Sequence, residues 1–316
     1  MIYIFGSARS GSTWLAKIFD SHPDVLYLHE PELFDRGLDI LPLWLDSEPQ
    51  PRHVAAAKTY LTRLLATRSS RITGARPFFR KHYRSTGAEQ LRRTLIYAAK
   101  GVERVGVARY VNRLHIPDLA DRSRPMMTVI KSVSALGRAE VLIKAAEGTI
   151  RPILLIRHPC GYVSSMLRGT RIGTMKPLGE LGRLQETHAA QRLGIEPGAL
   201  ESADCVEKLA WNWLLSNAEA YPAIRAAGGE TVVYETLTRD PKTGVIELFR
   251  KIGLSWTPET EAFLDRSVSR DGGYYSVYRD PVKAAGRWRQ ELGEETVAKV
   301  RAIVTRDPVG QSFFDS

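Results

Sequence analysis

The chain has little cysteine and no long apolar run. Cys160 and Cys205 are its only cysteines among 316 residues, too few for a disulfide framework or a cysteine-built zinc site. No run of about 18 uninterrupted apolar residues occurs, which excludes a helix that spans a bilayer. The first strand-like segment starts at residue 2 and leaves no room for a secretion signal. These features predict a soluble, cytoplasmic protein without a transmembrane segment.

Acidic residues are scarce between residues 51 and 100. This stretch has twelve Lys or Arg residues and a single acid, Glu89, so its net charge is +11, while the rest of the chain contributes −1 to the total of +10. Two interpretations stay open. The basic residues can be solvated helix faces, or they can form a platform for an anionic partner.

Apolar, strand-like runs alternate with helical patterns, which is typical of an α/β fold with a parallel β-sheet flanked by helices. We predict one domain over residues 1–316, with a basic helical insertion at about 35–125 and a long surface loop or lid at about 169–203. The predicted strands are Ile2–Phe5, Val25–Leu28, Met127–Ile130, Pro152–Ile156 and Thr231–Tyr234.

Polar residues follow four of these strands. They are Arg9, Glu30, Lys131 and Arg157, each in or next to the turn after a strand. Ligands of open α/β sheets bind beyond the carboxyl ends of the strands. We therefore expect the four side chains to converge at one edge of the sheet.

The turn after the first strand resembles a phosphate-binding loop. Gly6 and Gly11 have the glycine spacing of an ATP-binding loop, and the loop opens a helix whose N-terminus attracts anions. Ser12 stands where that loop has its lysine, so magnesium-nucleotide chemistry loses a main support. The cation of this loop is Arg9 instead. A kinase-like, ATP-dependent transferase with this type of loop stays open as an alternative.

The same loop resembles the first signature of the sulfotransferases that use 3′-phosphoadenosine 5′-phosphosulfate. The matching residues are Arg9-Ser10-Gly11-Ser12-Thr13-Trp14. The resemblance implies that Arg9 and the loop amides hold the 5′-phosphosulfate and that Trp14 stacks on adenine. The alternative for Trp14 is a core residue on one helix stripe with Ile18. The family match is closer to the carbohydrate and bacterial type than to the small-phenol cytosolic type.

A second signature of this family lies in residues 154–165. Arg157 at a strand end and Ser165 on the following helix match the residues that bind the 3′-phosphate in the family, with Ser164 as the nearby alternative. A guanidinium can place two donors on one phosphate, and a hydroxyl adds another. ATP has no 3′-phosphate, so this signature favours the sulfonucleotide. Alone, it could also be a capped helix with an exposed arginine.

Weaker similarities extend the resemblance towards the C-terminus. The segment Tyr234–Leu237 is similar to the family's Tyr-Glu-Asp-Leu segment, and Gly286-Arg287-Trp288 resembles its Gly-x-Trp element. The basic loop that precedes this element closes over the nucleotide in the family. Here its candidates are Arg279 and Lys283.

Sulfuryl transfer needs cations for the leaving oxygen and a base for the acceptor hydroxyl, with no metal. Arg9 and Lys131 are the predicted cations. The histidine that serves small-phenol enzymes falls at Val133, which cannot accept a proton. Glu30, before a proline, resembles the base of carbohydrate sulfotransferases and is the first candidate.

Two neighbours compete with this glutamate as the base. His29 has a free pKa that suits the role, although a strand-end histidine satisfied by backbone is the alternative, and Glu32 is a further candidate. The acceptor is expected to be a carbohydrate or another anionic molecule. No nucleic-acid partner is expected, and peripheral membrane contact stays open. A non-enzymatic protein that binds nucleic acid or an anionic surface is the rival from a different class.

Overall fold

The structure of the chain, a computed structural model, describes residues 1–34, 36–102, 115–178, 181–269, 278 and 280–315. The strands are β1 (Ile2–Phe5), β2 (Val25–His29), β3 (Met127–Ser132), β4 (Arg151–Ile156) and β5 (Glu230–Val233). The helices are α1 (Ser12–Ser21), α2 (Pro31–Phe34), α3 (Pro51–Ala66), α4 (Ser70–Thr73), α5 (Thr86–Val102), α6 (Ala139–Ala146), α7 (Pro159–Arg171), α8 (His188–Arg192), α9 (Cys205–Ala226), α10 (Tyr234–Arg239), α11 (Pro241–Ile252), α12 (Pro258–Val268), α13 (Pro281–Gly286), α14 (Trp288–Glu291), α15 (Glu294–Val304) and α16 (Pro308–Gln311). Short 3₁₀ turns occupy Arg36–Leu38, Leu136–Arg138 and Gly182–Glu186.

The five strands form one parallel sheet in the order β2-β3-β1-β4-β5. All five predicted strands are present, and their ends differ from the prediction by at most two residues. The predicted fold class is therefore confirmed. Because every strand runs in the same direction, all carboxyl ends lie at one edge of the sheet.

Alternate residues of the strands point into two separate cores. Tyr3 and Phe5 of β1 belong to a core with α3, α6 and α9, whereas Ile2 and Ile4 face a core with α1, α11 and α12. Successive side chains of a strand point to opposite faces of the sheet. The continuous apolar strands of the sequence are thus explained by helices on both faces.

Much of the positive charge of residues 51–100 lies in internal contacts. Lys81 pairs with Asp20 of α1 at 3.1 Å, and Arg84 pairs with Glu89 at 3.1 Å. Arg92 donates to the carbonyl of Thr73. These contacts favour a structural role for this part of the charge, and a platform for an anionic partner stays a prediction.

The segment 169–203, predicted as a surface loop or lid, holds short elements of secondary structure. It holds the last turn of α7, the 3₁₀ turn Gly182–Glu186 and helix α8. Leu184, Ala189 and Ala190 are buried in the same core as α9. Its glycines and threonines indicated a loop, whereas these apolar residues pack in one core with α9, and a role as a lid stays a prediction.

Among the helices that the structure describes, none is long and apolar enough to cross a membrane.

Candidate active site

The strand ends gather the predicted polar residues as expected. In the register of the sheet, His29 at the end of β2 lies beside Lys131 on β3. The amide of Glu30 donates to the carbonyl of Lys131 at 2.9 Å. This bond places Glu30, which directly follows β2, next to Lys131, which lies within the last two residues of β3.

Lys131 joins the carboxylate of Glu30 to the loop after β1. Its side chain is 1% exposed, and its Nζ donates to the Glu30 carboxylate and, at 3.2 Å, to Thr13 Oγ1. Burial lowers the pKa of Lys131, while the neighbouring Glu30 carboxylate opposes this shift. A buried cation is thereby held between the predicted base and the predicted phosphate loop.

The loop between β1 and α1 has an unusual backbone. Gly11, before the first residue of α1, has a φ of 92°, and Arg9 has a φ of 67°. A φ in this range is common for glycine and uncommon for other residues. Glu30 also has a positive φ, 45°. Such strain is often found at functional sites, and here it occurs at two of the predicted site residues.

The two signature segments meet at Arg9. Its Nε donates to Ser165 Oγ at 3.1 Å, and its backbone carbonyl accepts from Arg157 Nη1 at 2.9 Å. Ser164, the alternative to Ser165, donates instead to the carboxylate of Glu291. The structure therefore brings Ser165, and not Ser164, to the loop.

Two candidate bases have environments that the sequence could not show. His29 Nδ1 forms a hydrogen bond of 2.7 Å with the hydroxyl of Tyr27. Burial lowers the pKa of His29 to about 4. Its Nε2 lies 3.9 Å from the Glu30 carboxylate. Burial raises the pKa of Glu32, whose Oε1 accepts from Ser134 Oγ at 3.0 Å. A histidine with a pKa of about 4 is a weak proton acceptor, which weakens the case for His29, and Glu30 as the base stays a prediction.

Trp14 and Lys283 lie in contrasting places. Trp14 of α1 is 7% exposed and belongs to the core that also contains Ile2 and Ile4. Its Nε1 donates to Ser267 Oγ at 3.0 Å. This position is that of the core residue named as the alternative, and adenine stacking stays a prediction. Lys283 lies on α13, 75% exposed, with its Nζ 3.5 Å from Asp280. Arg279 lies outside the described residues.

The model of a sulfotransferase family, described as "Sulfotransferase family", matches residues 2–258 of the chain. The chain belongs to this family. The chain is similar to the solved sulfotransferase domain of the Synechococcus PCC 7002 olefin synthase, with 17% identity over 96% of this chain and 93% of that chain and a TM-score of 0.47. It is similar to the sulfotransferase domain of the curacin biosynthetic pathway, with 14% identity over 97% of this chain and 98% of that chain and a TM-score of 0.47. It is also similar to a sulfotransferase from Alicyclobacillus acidocaldarius, with 16% identity over 99% of this chain and 98% of that chain and a TM-score of 0.41. No curated protein matches.

Two contacts of this sulfotransferase were missed by reasoning from the sequence. Glu235 accepts at 3.0 Å from the amide of His158, the residue after Arg157. The ring of His158 stacks on Trp288 at 4.6 Å between centroids. The similarity of residues 234–237 and 286–288 to family elements was the available signal, but it gave no partner for either element.

Within the described ranges, the sulfotransferase has no group of three or more His, Cys, Asp or Glu residues that could hold a metal ion.

Proposed function

We propose that this sulfotransferase takes its sulfuryl group from 3′-phosphoadenosine 5′-phosphosulfate and transfers it to an acceptor hydroxyl. The observation that carries the proposal is the contact of the two signatures, in which Arg157 Nη1 donates to the carbonyl of Arg9. One signature is expected to bind the 5′ side of the donor and the other its 3′-phosphate. Their contact means that one nucleotide could reach both.

Buried donors at this point fit an anionic ligand. Ser10 Oγ and Arg157 Nε are buried and have no hydrogen-bond partner in the part of the chain that the structure describes. A buried polar atom without a partner is costly, and a phosphate oxygen would satisfy it. The residues proposed to hold the donor are Arg9, Ser10, Gly11, Ser12, Thr13, Trp14, Arg157, Ser165 and Lys283.

When bound, the donor supplies the sulfuryl group, and its S–O bond to the 5′-phosphate breaks so that 3′-phosphoadenosine 5′-phosphate is the leaving group. We assign Glu30 the role of the base that takes the proton of the acceptor hydroxyl. Arg9 and Lys131 are the cations for the negative charge that develops at the leaving oxygen. Lys131 contacts both Glu30 and Thr13. The negative charge of a donor bound in the loop would therefore draw this cation towards the donor and away from the base.

The acceptor is proposed to be a carbohydrate or another anionic molecule, and the enzyme is proposed to act in the cytoplasm. The excess of basic residues in the stretch 51–100 supports the first proposal. Turnover of neutral phenols and of anionic glycans should be compared with the same donor. Equal turnover of the two classes would argue against an anionic acceptor.

The test of the donor is calorimetric titration with 3′-phosphoadenosine 5′-phosphate in chelator, beside ATP with magnesium. We expect the bisphosphate to bind, and Arg157→Ala to weaken it at least about tenfold, because a charge-assisted bond is lost. Arg151→Ala is the matched control, since Arg151 lies at the other end of β4 and bonds to the carbonyl of Ile252. Binding of ATP alone would indicate the kinase-like alternative. Binding of neither nucleotide would leave the basic surface as the main lead.

A further inference from the structure

The ring of Tyr234 contacts both signature segments. Tyr234 directly follows β5, and a Cβ added to Gly11 would lie 2.3 Å from Tyr234 Cε2, so the ring lies closely against the loop. The same ring meets Trp14 edge to face at 6.1 Å between centroids. The guanidinium carbon of Arg157 lies 5.2 Å from its centroid. One side chain therefore lies between the first signature and the arginine of the second.

Glu235, the next residue, holds the turn that carries Arg157. Its Oε2 accepts from the amide of His158 at 3.0 Å. Its Oε1 is buried without a hydrogen-bond partner among the described residues and lies 3.9 Å from Arg157 Nε, which is too far for a hydrogen bond. Burial raises the pKa of Glu235, and the charge of Arg157 opposes the shift.

Backbone carbonyls fix the guanidinium from two further sides. Arg157 Nη1 donates to the carbonyl of Arg9 at 2.9 Å, and Nη2 donates to the carbonyl of Ala284 at 2.5 Å. A guanidinium has five N–H donors, so the described residues leave others available, including the buried Nε. The orientation of this group is thus set by its surroundings before a ligand arrives.

We propose that Tyr234 and Glu235 are positioning residues that direct Arg157 at the 3′-phosphate of the donor. This inference rests on the proposed function. Glu235 bonds to the amide of the residue after Arg157, and the guanidinium of Arg157 lies over the ring of Tyr234. For Glu235 the effect should concern the 3′-phosphate alone, because its carboxylate contacts the turn that carries Arg157. Tyr234 also contacts Gly11 and Trp14 of the first signature, so the selective test is made at Glu235.

The experiment measures selectivity for the 3′-phosphate as the ratio of two dissociation constants. Adenosine 5′-phosphate and adenosine 3′,5′-bisphosphate differ only in that group, and calorimetry gives both constants. For Glu235→Ala we expect the ratio to fall about tenfold or more, since a misaligned arginine loses its charge-assisted bonds. Binding of the monophosphate should change by less than about twofold. Glu235→Gln should restore the ratio, because its amide oxygen can accept from His158.

Two variants serve as matched controls. Glu230→Ala removes a carboxylate of β5 that pairs with Lys251 at 3.1 Å, and Lys251 belongs to neither signature. This variant should keep the wild-type ratio. Tyr234→Phe keeps the ring and should also keep it, whereas Tyr234→Leu should lower it. If a thermal unfolding measurement shows that Glu235→Ala does not fold, Glu235→Ser provides the same test with a smaller loss of polarity.

Three results would overturn the inference. The ratio could stay unchanged in Glu235→Ala or Glu235→Ser, or both nucleotides could lose affinity equally, which is what a merely structural role predicts. A third result is a Glu235→Gln variant as poor as Glu235→Ala. A wild-type protein without any preference for the bisphosphate would instead refute the proposed donor, and with it this inference.

Discussion

Lys131 at the end of β3 forms a buried ion pair with Glu30 at the end of β2. The pair connects the proposed base to the proposed donor loop, because Lys131 also donates to Thr13.

Replacing the proposed base should affect turnover and leave donor binding nearly intact. For Glu30→Gln we expect turnover to fall about 10²- to 10⁴-fold, the usual contribution of a general base. The amide oxygen can still accept from Lys131, so affinity for the bisphosphate should change less than about threefold. Steady-state kinetics and calorimetry measure the two effects. His29→Gln and Glu32→Gln are the comparators, and retained turnover in Glu30→Gln would move the base to one of them.

The ion pair itself should be visible in stability. Lys131→Met leaves the Glu30 carboxylate, whose side chain is only 13% exposed, without its cation. Breaking a buried pair from one side costs about 3 kcal/mol or more. The double variant Lys131→Met/Glu30→Gln should recover much of this loss in urea unfolding. A double variant less stable than Lys131→Met would contradict the pairing seen here.

The sheet and the edge of the site were predictable because they depend on local patterns. Buried parallel strands show as apolar runs, and the residues after them, such as Arg9 and Lys131, must meet at one edge. The partner of His158 was not predictable, because Glu235 reaches it through the packing of β4 beside β5. Helix α8 was not predicted, because the composition of the segment 169–203 hid the few apolar residues that pack on α9.

The loop after β1 should tolerate no side chain at Gly11. An alanine there meets the positive φ of 92° and places its Cβ 2.3 Å from Tyr234 Cε2. Gly148 is the matched control, with a φ of 80° and no atom within 4 Å of an added Cβ. In urea unfolding, Gly148→Ala should lower the free energy of unfolding by about 1–2 kcal/mol from backbone strain alone. Gly11→Ala should lower it clearly more. Of the two variants, only Gly11→Ala should bind the bisphosphate more weakly than the wild type. Equal costs would show that the ring of Tyr234 moves aside freely.

The burial of His29 should make the protein less stable in acid. Burial lowers the pKa of His29 from its ordinary value of 6.5 to about 4, so between these pH values the unfolded chain binds a proton that the folded chain does not. Stability therefore falls as the pH drops from about 6.5 to about 4, by about 3 kcal/mol from this residue.

Removing the histidine should flatten that dependence. In His29→Gln, the difference in unfolding free energy between pH 7 and pH 4 should be smaller than in the wild type by up to about 3 kcal/mol, measured by urea unfolding. His158, whose pKa burial also lowers to about 4, is present in both proteins and cancels in the comparison. Replacing the exposed His115 by glutamine should leave the wild-type dependence unchanged. If His29→Gln keeps the full acid dependence, His29 is protonated as readily in the folded chain as in the unfolded one, and the case against it as the base loses its support.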